Sequence, residues 1–245
     1  MTDARSLSFG RVAEAYERAR PAYPADLVEW LAPGHVVVDV GAGTGKLTGV
    51  LAAAGREVVA VEPDPAMLAQ LSERFPGVTT HLGPGEELPL PDGSADAVVY
   101  GQAWHWVDEA RAGEEAARVL RPGGVLGAVW NVPDRAVPWV DELQSLRGDS
   151  KGQAQATGQG PNFGRWFARP ARRDERWSFE LGVDGLVALM ATRSEVITGD
   201  ADARARTLAA VRAIAEREAG PSGELALPYL TVGIRAERLE APASD

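Results

Sequence analysis

Between positions 36 and 46 the chain reads Val-Val-Val-Asp-Val-Gly-Ala-Gly-Thr-Gly-Lys, and this stretch restricts the possible folds more than any other. Four valines in five positions are too short a run to cross a membrane and too β-branched for a helix, so they predict a strand buried on both faces, the signature of a parallel-sheet centre. Gly41, Gly43 and Gly45 then close a tight turn, and residues 47–54 resume with helical character. Glycine is required where a backbone bends sharply or approaches a ligand with no Cβ in the way. A strand, a glycine turn and a helix N-terminus make a nucleotide-sized site at the carboxyl edge of a sheet.

The spacing separates three ligands. A phosphate-cradling loop needs Gly-x4-Gly-Lys followed by Ser or Thr, but its first glycine would fall at Val40 and Leu47 stands where the hydroxyl belongs. A dinucleotide turn needs Gly-x-Gly-x-x-Gly, and here the last glycine comes one place early, with Lys46 in its position. The third ligand is S-adenosylmethionine, which carries an adenosine but no pyrophosphate. Asp39-Val40-Gly41-Ala42-Gly43-Thr44-Gly45 resembles the first motif of the class I S-adenosylmethionine-dependent methyltransferases, (D/E)-x-G-x-G-x-G, at every defined place. The resemblance implies cofactor contacts from Asp39, Gly41, Ala42, Gly43, Thr44 and Gly45.

Residues 57–61 predict a second buried strand that ends in Glu62, followed by Pro63-Asp64-Pro65. A carboxylate at the tip of that strand, about 20 residues after the glycine turn, is placed to accept hydrogen bonds from both ribose hydroxyls. Asp64 before Pro65 reads as the cap of a helix over 65–75, with Met67 on its inner side. Pro63 and Met67 complete the expected cofactor wall here.

Composition narrows the class. A chain of 245 residues is long enough for one large core. Lys plus Arg is 25 against Asp plus Glu 35, a formal charge of −10, which disfavours a nucleic-acid partner. With no cysteine, disulfides, a thiolate nucleophile and a cysteine-based metal site are excluded. No basic stretch leads into an apolar core at the N-terminus and no apolar run approaches about 18 residues, so a cytoplasmic protein with no membrane partner is expected. Nothing in the chain suggests a catalytic metal.

Ser8 could cap a first helix through Phe9, Val12, Ala13, Tyr16 and Ala19, and Pro24 or Ala25 opens a second through Leu31. Tyr16…Arg20-Pro-x-Tyr23-Pro resembles the N-terminal segment of small-molecule methyltransferases of the trans-aconitate methyltransferase type, which folds over the cofactor. In that reading Tyr16 faces the sulfonium, as an aromatic face attracts a cation, and Arg20 holds the methionyl carboxylate; Tyr16 could equally be the polar edge of a packing stripe. Gly83-Pro84-Gly85-Glu86-Glu87-Leu88-Pro89 resembles the family's G-D-A-E-x-L-P segment, which holds the adenine amino group. Here Pro84 replaces the usual aspartate, which leaves that contact to Glu86 or to backbone at Gly85.

The fourth strand (95–100) runs into Gly101-Gln102-Ala103-Trp104-His105-Trp106. Gln102 and Ala103 are expected at the cofactor, and Trp104 and Trp106 at the acceptor. The family's amino methyltransferases carry (D/N)-P-P-(Y/F) here; this chain does not, and Trp-His-Trp resembles the small-molecule branch. His105 is either a general base or a structural histidine at the head of the next helix. Further on, Leu-Arg-Pro-Gly-Gly (120–124) matches another family landmark. Residues 147–164, rich in glycine and glutamine without a period, predict a mobile lid. Five arginines between 165 and 176 read as solvated surface, and Arg193 is a candidate for an anionic acceptor.

The fold implied is α/β and Rossmann-like: a seven-stranded, mostly parallel sheet of order 3-2-1-4-5-7-6, helices on both faces, and a helical cap. It forms one domain over 1–245, with a core of about 33–131 and 173–240 and an N-terminal cap over 1–32. The expected activity is methyl transfer from S-adenosylmethionine to a small molecule, at a carboxylate or hydroxyl oxygen, by a monomer or homodimer. A cofactor-binding fold relative without methyl transfer, and a nicotinamide oxidoreductase, are the alternatives.

Overall fold

A computed structural model describes residues 21–146, 151–192 and 200–241. The chain runs α1 (Ala25–Leu31), β1 (Val36–Val40), α2 (Lys46–Ala53), β2 (Glu57–Glu62), α3 (Pro65–Arg74), β3 (Thr79–Leu82), β4 (Ala95–Gly101), a 3-10 turn (Trp104–Trp106), α4 (Glu109–Val119), β5 (Leu120–Pro133), α5 (Pro138–Ser145), α6 (Lys151–Thr157), β6 (Ala171–Gly182), α7 (Val183–Ala191), α8 (Ala201–Glu218) and β7 (Glu224–Glu237). The strands form one seven-stranded sheet in the order β3-β2-β1-β4-β5-β7-β6. β1 to β4 pair in parallel with one another and with β5, and β7 runs antiparallel to both its neighbours. Among the described residues no helix is long and apolar enough to cross a membrane.

The valine run does what its pattern demands. Val38 and Val40 enter a core shared with α4, Trp104 and Trp130 on one face, and Val37 enters the opposite core with Leu27 and Leu31 of α1 and Leu47 and Leu51 of α2. Covering both faces is what permits a strand with almost no polar side chains. At the amino edge, Asp96 accepts hydrogen bonds from the backbone of His35 (2.8 Å) and Val36 (2.9 Å) and from Arg121. It thereby pins the start of β1 to β4.

A third core lies outside this sandwich. β5 and β7 pair only as far as Pro133 opposite Tyr229, whereas β6 and β7 continue to Gly182 opposite Glu224. Beyond that rung the sheet is two strands wide. Its projecting half is covered by Val140 and Leu143 of α5, Leu186, Leu189 and Met190 of α7, and Val211 and Ile214 of α8, packed on Leu225, Leu227 and Tyr229. This is the helical cap, and the insertions after β5 and β6 build it.

Three elements differ from the expectation, since the sequence pattern reads strand five over 125–130, strand six over 177–181 and a loop over 147–164. β5 begins at Leu120, not Val125, and includes the Arg-Pro-Gly-Gly segment through an irregular register between Ala95 and Ala97. β6 begins at Ala171, not Trp177. It is an edge strand, and its charged residues, paired as Arg172–Asp174 and Arg176–Asp134, hide the strand signal. Within the expected loop over 147–164, residues Lys151–Thr157 are helical. That helix is held by docking: Gln155 donates to Glu109 (2.5 Å), Arg172 donates to the Ala156 carbonyl (3.0 Å), and Gly152 and Ala156 are buried.

Candidate active site

The three glycines of the turn have left-handed φ angles of 66°, 57° and 90°, each for its own reason. A Cβ on Gly41 would stand 2.6 Å from the Ala103 methyl, and one on Gly45 would stand 2.7 Å from the Phe75 ring. On Gly43 the nearest atom would be Met67 Sδ at 3.8 Å, so that residue faces open space. Two glycines let the turn pack, and the middle one keeps a cradle open.

Glu62 fixes the cradle. Buried at the end of β2, it accepts from Gly43 N (2.8 Å) through Oε2 and from Asp64 N (2.9 Å) through Oε1. Burial raises its pKa, against the lowering effect of these two backbone donors. A carboxylate has about four acceptor positions, so two are engaged and the rest can meet a diol. Asp64 caps α3 through Ala66 N and Met67 N, as its place before Pro65 predicts, and Pro63 links the two carboxylates.

Asp39 lies in the floor of the turn, fully buried. Thr48 donates to its Oδ2 at 2.6 Å, while Oδ1 is buried with no hydrogen-bond partner among the described residues. Burial, only partly offset by the Thr48 bonds, pushes the carboxyl up to about 7. A buried acceptor left unpaired is costly, and a cationic or donor group arriving in the adjoining cleft relieves that cost.

That cleft, about 580 Å³ including space open to solvent, lies between the glycine turn, β4, β5 and β7. Asp39, Gly41, Ala42, Gly43, Thr44 and Gln102 line it, all of them expected from the sequence. Gln102 has φ 58°, a left-handed conformation that costs a non-glycine residue of order 1–3 kcal/mol and collects at functional sites. Two bonds to β5 hold it there, from its backbone N to Val129 O (2.8 Å) and from its side chain to Asn131 O (2.8 Å). Behind it, Trp177 donates to Thr231 (2.8 Å), Thr231 to Asn131 Oδ1 (2.6 Å), and Asn131 to the Ala22 carbonyl (3.0 Å). This relay ties β6, β7 and β5 to the segment that enters α1.

The other expected residues take different positions. Ala103 backs the turn against Gly41 and Gly45 packs behind it. The Gly85 carbonyl accepts from Tyr100 (3.3 Å), and Glu86 accepts from Asp108 N (2.9 Å). Trp104 is a correction to the expected acceptor wall: it is 0% exposed and stands edge-on between Tyr100 and Phe163, its indole N–H bonded to Glu109 (2.9 Å). It is a core residue. The His105 and Trp106 rings lie 4.7 Å apart, tilted by 42°, and neither is among the residues lining the cleft; a Cβ on Gly152 would stand 2.8 Å from the His105 ring, so α6 sits directly against it. Tyr16, Arg20 and Arg193, with the helix expected from Ser8, lie outside the described residues.

Two polar cleft residues, Asn131 and Tyr229, were not singled out by sequence reasoning, and Tyr23 entered it only as part of the N-terminal motif. Asn131 alone left a trace, an amide at the end of an otherwise apolar strand. Tyr229 left none, since a tyrosine in a strand of alternating pattern reads as packing.

Comparison with known proteins agrees with this geometry. The methyltransferase domain family matches residues 38–128, the segment from β1 into β5 that carries the turn, Glu62 and Gln102. Over 235 residues the chain is 46% identical to an uncharacterized methyltransferase of Mycobacterium tuberculosis (strain H37Rv), covering 94% of this chain and 96% of that one. A solved structure from Anaeromyxobacter dehalogenans, provisionally described as a type II methyltransferase, superposes with a TM-score of 0.60 at 30% identity, over 89% of this chain and 97% of the other. A Haemonchus contortus phosphoethanolamine N-methyltransferase, at TM-score 0.55 and 14% identity, covers 96% of this chain and 59% of its own; it shares the fold. This chain belongs to the class I S-adenosylmethionine-dependent methyltransferases.

Proposed function

We propose that the protein methylates an oxygen of a small-molecule acceptor, with a carboxylate favoured over a hydroxyl. The observation that carries this reading is one cleft lined by Asp39, whose Oδ1 has no hydrogen-bond partner among the described residues, by Gly43, and by Tyr23, Asn131 and Tyr229. Asp39 would face the methionyl ammonium, and Glu62 the ribose. Pro63, Met67, Gly85 and Glu86 would border the adenine. Tyr16 and Arg20 are proposed to close over the cofactor from the N-terminal segment, and residues 147–164 to form the lid, all within one domain.

When bound, S-adenosylmethionine supplies a methyl group on a sulfonium that is already a good leaving group. The work left to the chain is orientation and exclusion of water. A carboxylate arrives deprotonated and needs no base, whereas a hydroxyl must lose a proton as the new bond forms. His105, covered by α6 and absent from the cleft lining, is poorly placed to take that proton, which favours the carboxylate. The acid-rich charge of −10 and the size of the cleft support a small acceptor over a nucleic acid, and the same reading puts the enzyme in the cytoplasm. The test is turnover of labelled S-adenosylmethionine with panels of carboxylic acids, phenols and amines. Methyl esters from the acid panel are expected, and product from amines alone would reject the reading.

A further inference from the structure

Tyr229 is the residue of the cleft whose chemistry is unaccounted for. Its side chain is 1% exposed, it lines the cleft, and its hydroxyl is buried with no hydrogen-bond partner among the described residues. The rest of the side chain is rigidly held. The ring lies nearly parallel to Trp177 at 5.4 Å between centroids, and the Trp177 indole is itself fixed by Thr231, two residues along β7 from Tyr229. On the backbone, Tyr229 pairs with Pro133 and Trp177 at the last rung where β5, β7 and β6 run abreast. A phenol carried on a locked ring cannot swing to find a partner, so the partner must come to it.

We infer that Tyr229 is a specificity-determining residue, whose hydroxyl donates a hydrogen bond to a carboxylate oxygen of the methyl acceptor. This rests on the methyltransferase reading of the cleft and extends it to the acceptor end. Asp39 is the only acid lining the cleft among the described residues and Lys46 the only cation. Asp39 lies at the turn, where the cofactor's ammonium belongs. The rest of the described lining then offers no carboxylate to an ammonium, while the phenol offers a donor to an oxyanion. Charge-assisted bonds of this kind are shorter and about twice as strong as neutral ones. In the transfer, an oxygen lone pair of the acceptor forms the new C–O bond. The C–S bond breaks with its electron pair passing to sulfur, and the products are an ester and a neutral thioether with no proton released. A carboxylate loses its charge on methylation, so the bond to Tyr229 weakens in the product and favours its departure.

The experiment compares wild type with Tyr229→Phe, which removes only the oxygen. S-adenosylhomocysteine is titrated first by calorimetry, with a melting curve as the control for folding. Benzoate and hexanoate, then benzylamine, are titrated into the S-adenosylhomocysteine-saturated proteins. The expected result is equal S-adenosylhomocysteine affinity and an equal or higher melting temperature in the variant, with binding of at least one acid weakened about 10- to 100-fold. Failure of wild type to bind either acid, acid binding unchanged by the substitution, or preferential binding of benzylamine would each overturn the assignment. Failure of both proteins to bind S-adenosylhomocysteine has a different signature and takes down the methyltransferase reading of the cleft itself.

Discussion

The parallel half of the sheet and its projecting antiparallel tip are built on opposite plans. In the first, β1 and β2 each carry a carboxylate near their carboxyl end: Asp39 accepts from the Thr48 hydroxyl, and Glu62 accepts from the backbone of Gly43 and Asp64. In the second, β6 and β7 reach past Pro133 and rest on their own apolar core from α5, α7 and α8. At the junction of the two lies a relay of side chains, Trp177–Thr231–Asn131, with Tyr229 on the last rung that all three strands share. A cofactor of fixed shape needs backbone geometry, which glycines and strand ends supply. In the proposed reading the acceptor is met instead by side chains, Tyr229 foremost. Variants in the first region should therefore lose the cofactor, and variants in the second the acceptor alone.

The largest effect should come from the turn. Gly45→Val places a β-branched side chain at φ 90° with its Cβ 2.7 Å from the Phe75 ring, and should cost about 2–4 kcal/mol of stability, together with loss of S-adenosylhomocysteine binding. Urea unfolding and calorimetry read both; a stable variant that still binds would break the distinction between the regions. Glu62→Ala should weaken S-adenosylhomocysteine by roughly 1.5–3 kcal/mol, as bonds to a charged acceptor vanish. It should also destabilise the free protein, because Gly43 N and Asp64 N lose their shared partner. Unchanged affinity would remove Glu62 from the site.

A subtler effect concerns pH. Asp39 is raised from 3.8 to about 7 by burial. The free fold thus binds this proton more tightly than the unfolded chain does. Its contribution to stability is fully present below the ordinary carboxylate range and is lost as pH rises through about 7. A cationic ammonium beside Asp39 favours the ionised form, so S-adenosylhomocysteine affinity should rise by up to about tenfold per pH unit between 5.5 and 7, then level off. Asp39→Asn should flatten that rise, and a slope surviving in the variant would assign it to another group. The smallest effect is expected at His105. His105→Ala should lower turnover of a carboxylic acid less than about fivefold with no change in the pH profile, whereas base catalysis requires a loss of about 10²–10⁴-fold.

The contrast between the regions also explains what the sequence made legible. The glycine turn, Glu62 and the Asp64 cap could be read because each rests on local signals (a valine run, a spacing of glycines, a carboxylate before Pro-Asp-Pro), whereas the strand order followed from the family resemblance those signals carry. Gln102 was expected at the cofactor, but not its left-handed backbone, which depends on two bonds to a strand 27 to 29 residues away. Trp104 misled because an aromatic beside a histidine after β4 has the composition of a pocket wall. Only the packing of Phe163, 59 residues on, turns it into core. The early start of β6 stayed hidden behind alternating charges, and α6 behind a glycine- and glutamine-rich sequence whose helix contacts Glu109 from 46 residues away. Tyr229 was invisible because its neighbours come from β5 and β6, and no local pattern announces an unpaired hydroxyl.

The rung at Pro133 and Tyr229 has a bearing on how such enzymes diversify. Up to that point β7 is held on both sides by strands that also support the cofactor turn; past it, β7 answers only to β6 and the helices above. A chimaera joined at this rung, taking residues 134–228 from a relative and keeping the remainder, would exchange nearly the whole cap while every hydrogen bond around Asp39, Glu62 and Gln102 stays with its original partner. The seam runs beside Tyr229, so in the proposed reading a lineage that recombines there keeps the residues around the methyl donor, and Tyr229 with them, while the rest of the cap is exchanged.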